Sequence, residues 1–279
     1  MFRTDTRLVV LNASVFDAAG HFLPSLPQEA FHVFENGTPQ RISLFRREDV
    51  PISLGLVVDR SPSMAAKRDR VASAALALIR ASHPEDEAFV LNFDEDAYLD
   101  QDFTSDIAKL EHGLRLLDSA RGTAIRDALR LAVTHLKQRG AREKKVALVV
   151  TDGEDNSSRL SIEHLVRMAQ QNEVIVFAIG LLGNEEPSAA ARARRDLDLL
   201  TRSTGGRAWY PDQVREVEGI AREVAHEIRN QYILGYTPAD QPADGSYRRI
   251  QVRVDVPGAV VHTRTGYYAM PETASRANP

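Results

Sequence analysis

Ile52-Ser53-Leu54-Gly55-Leu56-Val57-Val58-Asp59-Arg60-Ser61-Pro62-Ser63 decides the fold. Residues 52–58 are an apolar run without the alternation of a half-solvated strand. Such a run reads as the centre of a parallel sheet covered on both faces. The chain leaves it through one carboxylate and two hydroxyls at alternating positions, Asp59, Ser61 and Ser63. In open α/β sheets, ligand sites lie just beyond the carboxyl ends of strands. Oxygen donors gathered there, without cysteine or histidine, suit a hard cation such as Mg²⁺. Two later segments extend the set. Arg121-Gly122-Thr123-Ala124 places a hydroxyl in a loop before a helix. Val149-Val150-Thr151-Asp152-Gly153 places a second carboxylate at the end of another buried strand.

Outward from this stretch, residues 48–230 alternate strand and helix. Strands are expected at 52–58, 88–93, 146–151, 174–179 and 207–210, with a short one near 98–103. Helices are expected at 65–81, 107–117, 124–139, 162–172, 189–203 and 214–230. The alternation means βαβ units, a mostly parallel doubly wound sheet and right-handed crossovers. In that order the strands ending at Asp59 and Asp152 are neighbours at the switch point, so dispersed residues can converge on one ion.

The flanks read as β structure. Residues 8–16, 31–35 and 40–45 are rich in strand formers, and Asn36-Gly37 between the last two is a hairpin signal. After residue 230, strands are expected at 231–236, 248–254 and 259–264. Each flank has too few strands for its own core. The economical arrangement is one small β-sandwich, built from 1–47 and 231–270, into which the α/β domain is inserted. The other is two separate β flaps packed on that domain. Residues 271–279 are polar and expected to be disordered.

Composition narrows the functional classes. The chain has 279 residues, 43% hydrophobic content and a formal net charge of -4, which argues against a nucleic-acid partner held by phosphate neutralisation. Cysteine is absent, which removes disulfides and thiolate chemistry. No apolar run approaches the roughly 20 residues of a membrane helix, so no membrane insertion is expected. The first residues lack the charged-then-apolar pattern of a signal peptide. The eight histidines form no HExxH pair, and no G-x-S-x-G, Walker A or G-x-G-x-x-G occurs.

Asp59, Ser61 and Ser63, then Thr123, then Asp152 in a Thr-Asp-Gly turn fill all five positions of a known motif. The chain thereby resembles the von Willebrand factor A domain and its metal-ion-dependent adhesion site. The resemblance implies a divalent cation, Mg²⁺ or else Mn²⁺ or Ca²⁺. Ser61, Ser63 and Thr123 would ligate it as hydroxyls, with Asp59 and Asp152 acting directly or through water. It further implies a non-enzymatic module for protein binding and cell adhesion, whose protein partner presents Asp or Glu to the ion.

The flanks are similar to those of secreted, acidobacterial-type VWFA-related bacterial proteins. The similarity rests on Phe31-His32-Val33-Phe34-Glu35-Asn36-Gly37-Thr38-Pro39-Gln40-Arg41-Ile42, on Tyr232-Ile233-Leu234-Gly235-Tyr236 and on Arg264-Thr265-Gly266-Tyr267. It implies export to the periplasm, cell surface or medium.

Several local expectations follow. Pro62 and Arg121 stand where the family often has glycine. Arg60 and Arg121 are expected to point into solvent. Asp59 is expected at the solvent edge, not in the core. Ser63 alone could cap the helix expected from residue 65. Glu154 and Asp155 either bias the site toward cations or sit as helix N-terminal charges favoured by the dipole. Glu85-Asp86-Glu87 and Asp94-Glu95-Asp96 read as solvated loop charges, and Phe89, Phe93 and Trp209 as core. Two other functional classes remain. One is a structural module with an incidental metal site. The other is Mg²⁺-dependent phosphoryl transfer of the haloacid-dehalogenase kind, but Ser61 stands where that chemistry needs a second Asp, and no lysine follows Lys145.

Overall fold

The computed structural model describes residues 8–47, 49–81, 83–115, 122–238 and 244–270. The amino-terminal residues 1–7, Arg121, the expected helix end at 116–117, part of the 238–245 turn and the tail 271–279 lie outside the described residues.

The central sheet has six strands: β5 (Ile52–Asp59), β6 (Glu87–Phe93), β7 (Ala97–Thr104), β8 (Lys144–Thr151), β9 (Val174–Gly180) and β10 (Ala208–Trp209). Their order is β10-β9-β8-β5-β6-β7. Pairing is parallel throughout except at β7, which runs antiparallel to β6 on one edge. All eight residues of β5 and all seven of β9 are buried, as the unalternating apolar runs require. Alternate side chains serve opposite faces. Leu54, Leu56 and Val58 pack with α1 (Arg68–Arg80), α2 (Ile107–Leu114) and α6 (Val217–Arg229). Val57, Phe89 and Phe93 pack with α3 (Ile125–Arg139), α4 (Ile162–Gln171) and α5 (Pro187–Thr204). Phe89, Phe93 and Trp209 are core residues, as expected.

The remaining strands are β1 (Val9–Phe16), β2 (Phe31–Glu35), β3 (Thr38–Gln40), β4 (Ile42–Arg46), β11 (Tyr232–Tyr236), β12 (Tyr247–Val254), β13 (Val260–His262) and β14 (Gly266–Tyr268). They form two four-stranded sheets, β13-β1-β11-β4 and β14-β12-β2-β3. Each sheet takes strands from both flanks, and their inner faces share one core that includes Leu11, Val33, Tyr232, Leu234 and Ile250. The fold is therefore a doubly wound, mostly parallel α/β sheet flanked by a β-sandwich. Asn36 and Gly37 form the hairpin turn between β2 and β3, both at positive φ (48° and 84°).

One expected strand is divided between the sheets, and another ends short of its expected bound. The run 40–45 breaks at Arg41: β3 pairs with β2, whereas β4 pairs with β11 in the facing sheet. The run 259–264 stops at His262, and the chain re-enters the other sheet as β14 beside β12. A strand can change sheets at such a corner without losing its hydrophobic alternation, so period-2 patterning does not reveal the break.

The three flank motifs meet at one buried carboxyl group. Glu35 is fully buried, and its Oε2 accepts hydrogen bonds from the Tyr236 hydroxyl at 2.7 Å and the Tyr267 hydroxyl at 3.1 Å. Removing one partner of a buried hydrogen bond leaves the other group desolvated without compensation. Tyr236→Phe is expected to cost about 1–3 kcal/mol in urea unfolding, although it removes a single oxygen atom.

The two units meet where α6 runs into β11. Elsewhere along the joint the Thr265 N–H donates to the Ser203 carbonyl at 3.3 Å, and the Arg264 guanidinium pairs with Glu173 at 3.5 Å. The Lys144 ammonium donates to the carbonyl of Ile228 at the end of α6. Burial pulls Lys144 down to about 8, against the attraction of Asp49, Asp86 and Glu227. Burial pushes Glu227 up to about 7, against the Ser14 hydrogen bond and the charges of Arg207 and Lys144. The unfolded Glu227 releases its proton near 4.5, whereas the folded one holds it to about 7. Its contribution to stability is therefore present at low pH and lost as pH rises through that window. Relative to the parent, Glu227→Gln is expected to be more stable by about 1–3 kcal/mol at pH 8 than it is at pH 4.5, measured by urea unfolding at both values.

Candidate metal centre

β5 and β8 run parallel in register from Ile52↔Lys144 to Val58↔Val150, so Asp59 and Asp152 emerge at the same end of the sheet. Asp59 is buried at 1% exposure, not at the solvent edge as expected. Its Oδ1 accepts the Ser61 N–H at 2.8 Å and its Oδ2 accepts the Thr151 hydroxyl at 2.6 Å. Asp59 therefore closes the strand end as well as facing the site, so its removal is a structural change too. Burial pushes its carboxyl above the usual carboxylate range. The Thr151 and Ser61 hydrogen bonds pull the other way, and the Asp152 charge adds to the rise.

Beyond Asp59 the chain makes a 3-10 turn at Pro62–Met64, opened by Pro62 and anchored by the fully buried Met64. The turn sets the Ser61 and Ser63 hydroxyl oxygens 3.0 Å apart, and Ser63 Oγ donates to Asp152 Oδ1 at 2.9 Å. Ser63 is thus not a helix cap. α1 begins later, at Arg68, and Lys67 occupies its cap position with no capping hydrogen bond from its side chain.

Thr123 is brought to this cluster by its backbone. Its N–H donates to Asn156 Oδ1 at 3.0 Å, and its carbonyl accepts from the N–H groups of Asn156 and Ser157. Gly122 before it has φ 107°, and a Cβ there would come within 2.6 Å of Ser157 Oγ. Thr123 Oγ1 lies 4.0 Å, and Glu185 Oε1 3.7 Å, from where a Cβ on Gly153 would sit. Asp59, Ser61, Ser63, Thr123 and Asp152 are therefore gathered at one end of the sheet. The first three and Asp152 are joined by hydrogen bonds, with Thr123 across Gly153.

The structure also corrects the reading of neighbouring charges. Arg60 is buried rather than solvent-facing. Its Nε donates to Asp94 Oδ2 at 2.9 Å, with side chains 10% and 0% exposed, and its guanidinium lies 3.9 Å from the Tyr98 ring centroid. Asp94 is correspondingly not a solvated loop charge. Nor are Asp86, which accepts the Ile52 and His83 N–H groups, and Glu87, which accepts the Ser53 hydroxyl. Asp155 does serve a helix N-terminus, but that of α3 rather than the following α4. It accepts the Arg126 N–H at 2.8 Å and pairs with the Arg126 guanidinium. Glu154 pairs with Arg192, which lowers its carboxyl.

Four contributors to the site went unassigned in the sequence: Thr151, Asn156, Glu185 and Lys67. Lys67 is the consequential one. Its ammonium pairs with Asp152 Oδ2, with side chains 14% and 1% exposed. No local pattern in the sequence marks it, because its partner lies 85 residues away. Burial raises Glu185, reinforced by the Asp152 charge and opposed by Lys67.

The donor set suits a hard cation. Among the described residues no group of three or more His, Cys, Asp or Glu could hold a metal ion. Any metal here must rest on hydroxyls with two carboxylates, all of them oxygen donors. Ser61 Oγ, Ser63 Oγ and Asp152 Oδ1 follow one another at 3.0 and 2.9 Å. Adjacent oxygens of an octahedral Mg²⁺ shell lie about 2.9 Å apart. The spacing serves a hydrogen-bond chain and such a shell equally well.

A doubly wound sheet with this acidic and hydroxyl rim defines a class. The α/β unit is a von Willebrand factor A domain: residues 54–154 match the family model for the von Willebrand factor type A domain. A curated relative from Borreliella burgdorferi, named only as an uncharacterized protein, is 26% identical over 228 residues. The match covers 76% of this chain and 66% of that protein, so the chain spans just under two thirds of its relative. A solved von Willebrand factor type A structure from Catenulispora acidiphila superposes with a TM-score of 0.56 at 12% identity, covering 96% of this chain and 75% of its own. The vWF domain of the type V pili tip protein Mfa5 from Porphyromonas gingivalis gives 0.51 at 14% identity, covering 64% and 97%. At these identities the two structures establish a shared fold.

The Arg60–Asp94 pair supports the rim of this site, because the Asp94 carbonyl also accepts the Ala124 N–H at 2.7 Å, next to Thr123. Breaking a buried ion pair from one side leaves an uncompensated charge. Asp94→Ala is expected to lose about 3 kcal/mol in chemical denaturation.

Proposed function

We propose that this chain is a metal-ion-dependent protein-binding module of the adhesion type. Ser61, Ser63 and Thr123 would hold a Mg²⁺-type divalent cation as hydroxyl ligands, with Asp59 and Asp152 supplying charge directly or through water. The observation that carries this reading is the row of Ser61, Ser63 and Asp152 oxygens at the carboxyl ends of two adjacent central strands. Neutral hydroxyls leave the ion's charge incompletely balanced, so a bound cation supplies a Lewis-acidic position that favours a carboxylate from outside. Ser63 is exposed, which gives such a group access. The partner is accordingly a protein presenting Asp or Glu.

An adhesive, non-catalytic role is also supported by the pilus tip protein among the structural neighbours. That neighbour, with the flank motifs, supports a location at the cell surface or in the periplasm. No helix among the described residues is long and apolar enough to cross a membrane.

The test is calorimetric titration with Mg²⁺ and Mn²⁺, followed by capture of matched peptides ending in Asp, Glu, Asn or Gln. The parent chain is expected to bind metal and to retain the acidic peptides only while metal is present. Ser63→Ala and Asp152→Asn are expected to weaken metal binding at least about tenfold, the loss of one charge-assisted contact. Retention of acidic peptides unchanged by EDTA would overturn the reading.

A further inference from the structure

We propose that Lys67 is the resident cation of this site: its ammonium neutralises Asp152 when no metal is bound, and a divalent ion must displace it. The inference rests on the metal-binding reading above and concerns what that binding has to overcome.

Asp152 is 2% exposed and both of its oxygens are engaged, Oδ1 by the Ser63 hydroxyl and Oδ2 by the Lys67 ammonium. A buried carboxylate without a counter-charge is costly, and among the described residues Lys67 is the cation that meets it. Asp59 is satisfied differently, by an N–H and a hydroxyl, with no cation. The metal-free site therefore holds two carboxylates and one ammonium. Adding a divalent ion while the ammonium stays would place two like charges on the same carboxylate. Releasing the ammonium removes that repulsion.

The position of Lys67 points the same way. It caps the N-terminal end of α1, where the helix dipole disfavours a positive charge, and two arginines, Arg68 and Arg70, follow it. The contact that holds it there is the one with Asp152. Its flexible four-carbon stem starts at the cap residue of α1, and its partial exposure leaves a path to water. Glu185, whose carboxylate lies beside Gly153, offers a second carboxylate to the released ammonium.

A purely structural Lys67–Asp152 pair predicts the opposite sign, because removing it would loosen the site and weaken metal binding. Mg²⁺ titrations of the parent, Lys67→Gln and Lys67→Arg separate the two, with circular dichroism as the check on folding. Lys67→Gln is expected to bind Mg²⁺ at least about tenfold more tightly, and in EDTA to melt several degrees lower, with Mg²⁺ restoring its Tm. Lys67→Arg, which keeps the charge, is expected to stay within about threefold of the parent.

A second measurement needs no variant. Amine acylation of the parent chain, read by mass spectrometry, is expected to be at least about fivefold faster at Lys67 with saturating Mg²⁺ than with EDTA. Exposed Lys109 and Lys137 serve as controls. Binding by Lys67→Gln that is no tighter than the parent's, or Lys67 acylation that Mg²⁺ leaves unchanged, overturns the displacement alone. If Lys67→Gln binds metal and the parent does not, the lysine is a block and the metal-dependent function of the parent falls. If neither binds, both readings fall together.

Discussion

Between β5 and β8 the Thr151 hydroxyl donates to Asp59 across 2.6 Å, one rung beyond the last paired residues of the two strands. The rest of the site depends on this pairing. Parallel register brings two carboxylates about 90 positions apart in sequence to one end of the sheet, and a one-residue slip would exchange side chains between the two packed cores. Backbone hydrogen bonds then fasten the loops. Asp94 holds the Thr123 segment through Ala124, and the loop after Asp152 holds it through Asn156 and Ser157. Hydroxyl and carboxylate groups that would repel or disorder one another in water are in this way kept within hydrogen-bond distance.

Three of the carboxylates at this rim share one solution to their burial. Asp94 takes Arg60, Asp152 takes Lys67 and Asp155 takes Arg126, each cation arriving from a neighbouring turn or helix start. Such pairs contribute little net stability when exposed, but breaking a buried one is expensive. The three pairs differ in what surrounds them. Arg60 is stacked on Tyr98 and held on Asp94. Lys67 carries a compact ammonium on a flexible stem and ends in the row of donors a metal would use. A residue type suited to release thus stands where release would matter.

The sandwich imposes a separate constraint. Its sheets interleave strands from both ends of the chain, so it closes only after the whole α/β unit has been traversed. β1 lies between β13 and β11, and β2 between β12 and β3. Glu35 is where this closure is most specific, because its carboxyl receives hydroxyls from β11 and β14 at once. The joint to the α/β unit lies beside β14, where the Thr265 N–H donates to the Ser203 carbonyl and Arg264 pairs with Glu173. Buried polar groups at such places favour one arrangement of strands over nearby alternatives that bury equal apolar area.

Hydrophobic periodicity by itself determined the α/β class, the strand and helix order and the insertion between two β flanks. Unalternating runs such as 52–58 admit burial on both faces and little else. The spacing of Asp59, Ser61 and Ser63, with Thr123 and Asp152 at later strand and helix boundaries, was likewise legible, because sites at the ends of parallel strands follow from topology. What only the tertiary structure decided concerns groups whose role depends on a partner distant in sequence. Arg60 and Asp94 look like surface charges in isolation and become an internal pair because β5 and β6 are adjacent. Glu35 looks like a hairpin residue and becomes the centre of a core hydrogen-bond network. The break at Arg41 is invisible to alternation, since a strand that changes sheets keeps its pattern. Lys67 was not singled out in the sequence, and its position beside the end of β8 made it the counter-charge of Asp152. Local pattern encodes which face of an element is apolar. The pairing of charges depends on which faces meet, and that is settled by the fold as a whole.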